Sequence, residues 1–205
     1  MRCEAARMRV RLIDCAAVLC VAILSALPAG IRADVPPAVA SSFAEPAVSP
    51  DHSAIAFVSG GDVWSVPAGG GTARLLVAAG GTASRPMFSP DGKHLAFISS
   101  RAEAPGIYVV ALDGGSMTRL THDDVTPELD GWSADGRDVY FATSAHNIGY
   151  FADIMCVAVT GGTAVRVVGE RFVNAMMAAP SPDGRTVAVL ASGERPLDAD
   201  CGQRC

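Results

Sequence analysis

A four-residue word recurs along this chain and constrains its fold more than any other feature. It reads Ser49-Pro50-Asp51-His52, Ser89-Pro90-Asp91-Gly92, Ser133-Ala134-Asp135-Gly136 and Ser181-Pro182-Asp183-Gly184, with first residues 40, 44 and 48 positions apart. In such a word Pro presets the backbone for the second position of a type I turn, and Asp tolerates the bridge conformation after it. Gly then accepts the positive φ that closes a hairpin. His52 in place of Gly and Ala134 in place of Pro are both compatible with that turn. Each copy leads into a β-rich run: Ile55-Ala56-Phe57-Val58, Leu95-Ala96-Phe97-Ile98, Val139-Tyr140-Phe141-Ala142 and Val187-Ala188-Val189-Leu190. One such turn is an ordinary surface turn; four in phase define a repeat.

A second word falls later in each unit. Gly69-Gly70-Gly71, Gly114-Gly115 and Gly161-Gly162 each separate two further β-type runs, such as Ile107-Tyr108-Val109-Val110 and Thr118-Arg119-Leu120-Thr121. Paired glycines make tight hairpin connections. Each unit therefore reads strand, turn, strand, loop, strand, Gly turn, strand, and four strands every 40 to 48 residues is the spacing of a propeller blade. The expected fold class is all-β, a partial β-propeller of four-stranded antiparallel blades, about three and a half of them. Blades are expected near 43–80, 81–123 and 124–170, with a partial one at 171–193 and an unstructured tail at 194–205. A charged fraction of only 18%, with 21 Gly and 13 Pro, suits short strands and turns better than solvated helices.

Four arginines, Arg2, Arg7, Arg9 and Arg11, precede an apolar run from Cys15 to Leu27, which Pro28 and Gly30 break before Ala33. A positive start, a short apolar stretch and small residues describe a secretory signal-peptide helix over residues 1–33, followed by a linker at 34–42. The run falls short of the roughly twenty residues that span a bilayer, so no stable membrane insertion is expected once it is removed. Its removal takes five of the 16 basic residues and two of the 21 acidic ones, leaving a net charge of −8. That balance disfavours nucleic acid, whose phosphates need clustered Lys and Arg. Periplasmic or secreted localisation is the expectation.

The words quoted above resemble the PD40 (WD40-like) repeats of TolB-type propellers over residues 43 to 193. Phe43-Ala44-Glu45-Pro46-Ala47-Val48-Ser49-Pro50-Asp51, with Ser59-Gly60-Gly61-Asp62-Val63-Trp64, is similar to the opening blade of tricorn-type peptidases of the S41 group. So is Ser84-Arg85-Pro86-Met87-Phe88-Ser89-Pro90-Asp91-Gly92 in the second unit. The resemblance implies a propeller that precedes a PDZ-like and a serine-peptidase domain and guides peptides.

No catalytic motif emerges from the residues. Gly114-Gly115-Ser116-Met117-Thr118 lacks the final Gly of a nucleophile elbow and falls in a blade hairpin. Gly69-Gly70-Gly71 has no Gly-Lys-Ser/Thr after it, so it is no phosphate loop. His52, His94, His122 and His146 are scattered over separate units, and no metal site or cofactor is expected. Of the cysteines beyond the signal segment, Cys156 falls in a predicted strand and Cys201 and Cys205 in the tail, a set that matches no zinc pattern. His122-Asp123-Asp124 with Glu128 and Asp130 is the densest acidic stretch, able to attract a cation or basic peptide, though a solvated inter-blade connection is the plainer reading. The loop 144–151 is longer than its counterpart in the first unit, and long loops on a rigid scaffold carry binding residues. His146, Tyr150 and Phe151 are its candidate peptide-binding residues.

The expected function is a non-catalytic exported module that binds a peptide or protein. The alternative is a truncated N-terminal propeller of a tricorn-like serine peptidase whose catalytic domain lies outside this chain; a non-functional remnant is a third. Open blade edges are expected to permit self-association.

Overall fold

The computed structural model describes residues 42–101, 105–147, 151–169 and 173–192. The signal segment, most of the linker, Tyr150 and the tail lie outside the described residues. Blade 1 is built from β1 (Ala44–Val48), β2 (Ala54–Ser59), β3 (Asp62–Pro67) and β4 (Arg74–Val77). Blade 2 comprises β5 (Ala83–Phe88), β6 (His94–Ser99), β7 (Gly106–Ala111) and β8 (Met117–Arg119). Blade 3 comprises β9 (Glu128–Trp132), β10 (Asp138–Thr143), β11 (Asp153–Ala158) and β12 (Val165–Val168), and a half-blade pairs β13 (Asn174–Pro180) with β14 (Val187–Ser192). Strands pair antiparallel in sequence order within each sheet, as short hairpin connections require. This is the partial propeller that the repeat predicts. No helix among the described residues is long and apolar enough to cross a membrane.

The turn words fold the same way four times. The backbone N–H of the fourth residue donates to the Ser carbonyl at 2.9 Å in every copy. The Ser hydroxyl donates to the Asp carboxylate at 2.6 Å in copies one, two and four and at 2.8 Å in the third. That carboxylate accepts the N–H of the residue after the word, and the Ser oxygen accepts the first N–H of the next strand region (Ala54, His94, Asp138, Thr186). Ser, Asp and a left-handed fourth residue are therefore each required by a bond or an angle, while Pro is only favoured, and so Ala134 is accommodated. His52 takes φ 60°, alongside 70°, 70° and 68° for Gly92, Gly136 and Gly184, and closes the turn despite the steric cost of a side chain there. Successive turns touch: a Cβ at Gly92 would lie 3.6 Å from Pro50, one at Gly136 3.5 Å from Pro90, and one at Gly184 3.6 Å from Ala134.

Strand alternation sorts the core into three inter-blade layers. Leu95 and Phe97 of β6 pack with Ala56 and Val63 of blade 1, whereas their neighbours Ala96 and Ile98 pack with Val139 and Phe141 of blade 3. Ala142 and Ile154 face the other way, onto Ala175 and Ala178 of the half-blade. Inner strands thus bury both faces, which explains why they read as unbroken apolar runs. Trp132 adds a tie between blades by donating from Nε1 to the Met87 carbonyl at 3.2 Å.

First strands lie against the first strands of neighbouring blades, β1 beside β5 and β9 beside β13, which makes them the inner edge. They are bulged: register slips occur between Ala44 and Ala47, Ser84 and Met87, and Met176 and Ala179. Glu45, Arg85 and Met177 hold positive φ at those bulges, and the Glu45 carboxylate accepts the Arg85 backbone N–H.

Candidate functional site

Antiparallel order places the Ser-Pro-Asp-Gly and Gly-Gly turns at one end of every blade. The loops between second and third strands, and the connections between blades, fall at the opposite end. Those second-to-third loops lengthen along the chain: two residues at 60–61, six at 100–105 and nine at 144–152. The connection from blade 2 to blade 3, 120–127, is likewise the longest of its kind, against 78–82 and 169–173. The longest loop and the longest connection adjoin, and a cleft of about 490 Å³ opens beside them between blades 2 and 3.

The connection leaves β8 under tight control. Thr121, almost fully buried, accepts the Ile107 N–H on its hydroxyl at 2.9 Å, and its carbonyl accepts from Arg119 Nε at 2.7 Å. Gly106 is required here, since a Cβ would sit 2.8 Å from that Arg119 nitrogen and 3.0 Å from the Thr121 carbonyl. His122 and Asp123 follow at the rim of the cleft, and His146 of the long loop brings Nε2 to 3.5 Å from Asp123 Oδ2. Leu120, Phe141 and Met155 form an apolar floor.

Arg166 of β12 forms one wall and reaches Asp153, the first residue of β11, at 3.1 Å. Asp153 is fully buried and also accepts from Asn147 Nδ2 at 3.1 Å. Its Oδ2 is within ion-pair distance of the guanidinium but receives no aligned hydrogen bond. A buried carboxylate with the Arg166 guanidinium beside it anchors the base of the long loop and commits Arg166 to that task.

The acidic stretch does not act as one cluster. Asp123 turns to His146, Glu128 to Arg85 at 3.6 Å, and Asp130 onto the half-blade beside the Ala178 backbone, with its buried Oδ2 receiving no hydrogen bond among the described residues. Burial pushes the Asp130 carboxyl above the usual range, against the opposing pull of the Ala178 backbone N–H and of Arg85. Of the three candidate binding residues, His146 is exposed at the cleft and Phe151 is half-buried in the same loop. Ser116 is exposed in the hairpin between β7 and β8. Among the described residues, no three His, Cys, Asp or Glu side chains are grouped to hold a metal. Sequence reasoning missed the pairing of His146 with Asp123 and the role of Arg166. An Arg inside the apolar run Val165–Val168 was the available signal for the latter.

The family described as the tricorn protease N-terminal beta propeller domain matches residues 41–198. Tricorn protease homolog 1 of Streptomyces coelicolor is 37% identical over 95 residues, 46% of this chain and 9% of that protein. An uncharacterized protein of Agrobacterium fabrum is 30% identical over 133 residues, 63% of this chain and 42% of its own length. The chain thus spans less than a tenth of the tricorn homolog and under half of the second relative. Among solved structures, a putative TolB from Agrobacterium tumefaciens superimposes with TM-score 0.59 at 29% identity, covering 73% of this chain and 54% of that one. TolB from Acinetobacter baumannii gives 0.59 at 25% identity, covering 76% and 38%.

Proposed function

The chain belongs to the tricorn protease N-terminal β-propeller family, and we propose that it is an exported, non-catalytic module that binds a peptide or protein through the cleft between blades 2 and 3. The observation that carries this reading is the meeting of His146 with Asp123 above the Leu120, Phe141 and Met155 floor. An apolar floor with a few polar groups at its rim suits an apolar side chain whose flanking backbone hydrogen-bonds at the edge. The arginine-rich start and short apolar run of residues 1–33 support export. A second reading rests on the family match: the module is a propeller segment of a tricorn-like peptidase, delivering peptides to chemistry carried elsewhere.

Fluorescence anisotropy with an overlapping set of labelled twelve-residue peptides tests the binding reading. Saturable binding is expected, weakened about fivefold by His146→Ala or Asp123→Ala, the effect of losing roughly 1 kcal/mol. Phe151→Ala and Tyr150→Ala are expected to act in the same direction. Binding by no peptide, or affinities untouched by all four substitutions, would overturn it. Fluorogenic peptide substrates should remain uncleaved by the purified chain.

A further inference from the structure

The long loop between β10 and β11 is held on both sides of His146. Ahead of it, Thr143 is almost fully buried, and its hydroxyl accepts the Ala145 N–H at 3.2 Å. Behind it, Asn147 donates its backbone N–H to the Ser144 carbonyl at 3.4 Å and its side-chain amide to Asp153 Oδ1 at 3.1 Å. The first two bonds close a turn inside the loop with His146 exposed on it. The third ties that turn to the body of blade 3.

Blade 1 puts the same strand position to a different use. β3 and β11 both open on an aspartate, Asp62 and Asp153. Asp62 Oδ1 accepts the Ala79 N–H at 2.9 Å and so holds the connection to blade 2. Asp153 takes a side chain from the loop before it on Oδ1 and faces Arg166 at 3.1 Å from Oδ2. Its place is kept open by Gly169, where a Cβ would overlap Oδ1. Because Asp153 is fully buried, the bond from Asn147 has a charged acceptor away from water, which makes it stronger than a neutral or solvated one. A short planar amide therefore joins a fixed carboxylate to the residue next to His146. Fixing a loop in its binding geometry beforehand lowers the ordering cost of association.

We propose that Asn147 is the positioning residue of the cleft: by way of Asp153 it holds His146 against Asp123 before a peptide binds. The effect on affinity rests on the binding role proposed above, while the effect on His146 does not.

Proton NMR of the full chain reads the ring signals of His146, identified by their loss in His146→Ala. In Asn147→Ala these signals should move to where Asp123→Ala puts them, with the signals of His52 and His94 unmoved. Peptide affinity should fall about fivefold, as for His146→Ala, and the two substitutions together should cost no more than either alone. Should Asn147→Ala lose its β-sheet circular dichroism, Asn147→Ser replaces it. Unmoved His146 signals in a folded variant, or losses of affinity that add, would overturn the proposal. If no peptide binds, the cleft reading falls, and the ring signals alone decide the role of Asn147.

Discussion

β6 and β14 occupy the same place in their blades and look alike in sequence, His94-Leu95-Ala96-Phe97-Ile98-Ser99 against Val187-Ala188-Val189-Leu190-Ala191-Ser192. Their surroundings are opposite. β6 is buried at five of six positions, whereas β14 alternates at its start between half-buried and exposed and is exposed over its last three residues. An unbroken apolar run is thus a requirement for two neighbours, and a strand can carry it where only one neighbour is met among the described residues. The lesson is that burial in this fold belongs to the interface between blades, and the strand supplies only half of it.

The largest test of this contrast is truncation at matched positions. Phe97→Ala should lower stability by about 3–5 kcal/mol, because Phe97 is fully enclosed, and Val189→Ala by under about 1 kcal/mol. Urea unfolding of both variants reads the difference, and equal losses would break the comparison. A smaller effect follows from the turns. The Ser89 hydroxyl is bonded to Asp91 and to the His94 backbone at a fully buried position, whereas Ser181 is only half-buried. Ser89→Ala should therefore cost about 1–1.5 kcal/mol and Ser181→Ala about 0.5 kcal/mol by the same measurement.

Acid provides the smallest effect and one that should ignore the contrast. Bonds from Ser49 and Ser53 bring the Asp51 carboxyl down to about 2, and the corresponding Ser hydroxyls with a backbone N–H lower Asp91, Asp135 and Asp183. A carboxyl that holds its proton less tightly when folded adds stability that is fully present above about pH 4 and vanishes as pH falls toward 2. Asp91→Asn and Asp183→Asn should remove similar shares of that dependence, seen in melting temperatures between pH 6 and pH 2. A much larger effect at Asp91 would mean that burial by neighbouring blades governs the turns as well.

The blades were legible in the sequence because their punctuation is local. Each Ser, Asp and left-handed fourth residue is fixed by bonds inside six residues, so the chemistry of the word and the geometry of the turn are one thing. The first strands were less legible: a bulge with positive φ at Glu45 or Arg85 has no signature in residues that ordinarily avoid that conformation. In the candidate site His146 and the acidic stretch each drew notice, but their meeting depends on how two blades pack, His146 lying 23 positions after Asp123 along the chain. Arg166 was hidden for a different reason, since its partner Asp153 lies across a strand pair within one blade rather than along the chain.

The closeness of each turn glycine to the Pro or Ala of the preceding turn limits what those positions can hold. A Cβ at Gly92, Gly136 or Gly184 would already stand at contact distance, 3.5 to 3.6 Å, from Pro50, Pro90 or Ala134. A larger side chain there would meet the preceding turn in addition to the steric cost of positive φ. The layers behind the turns differ in composition, with Phe97 and Tyr108 in one and Ala175 and Ala178 in another. The rim repeats from blade to blade, and variety is left to the interior.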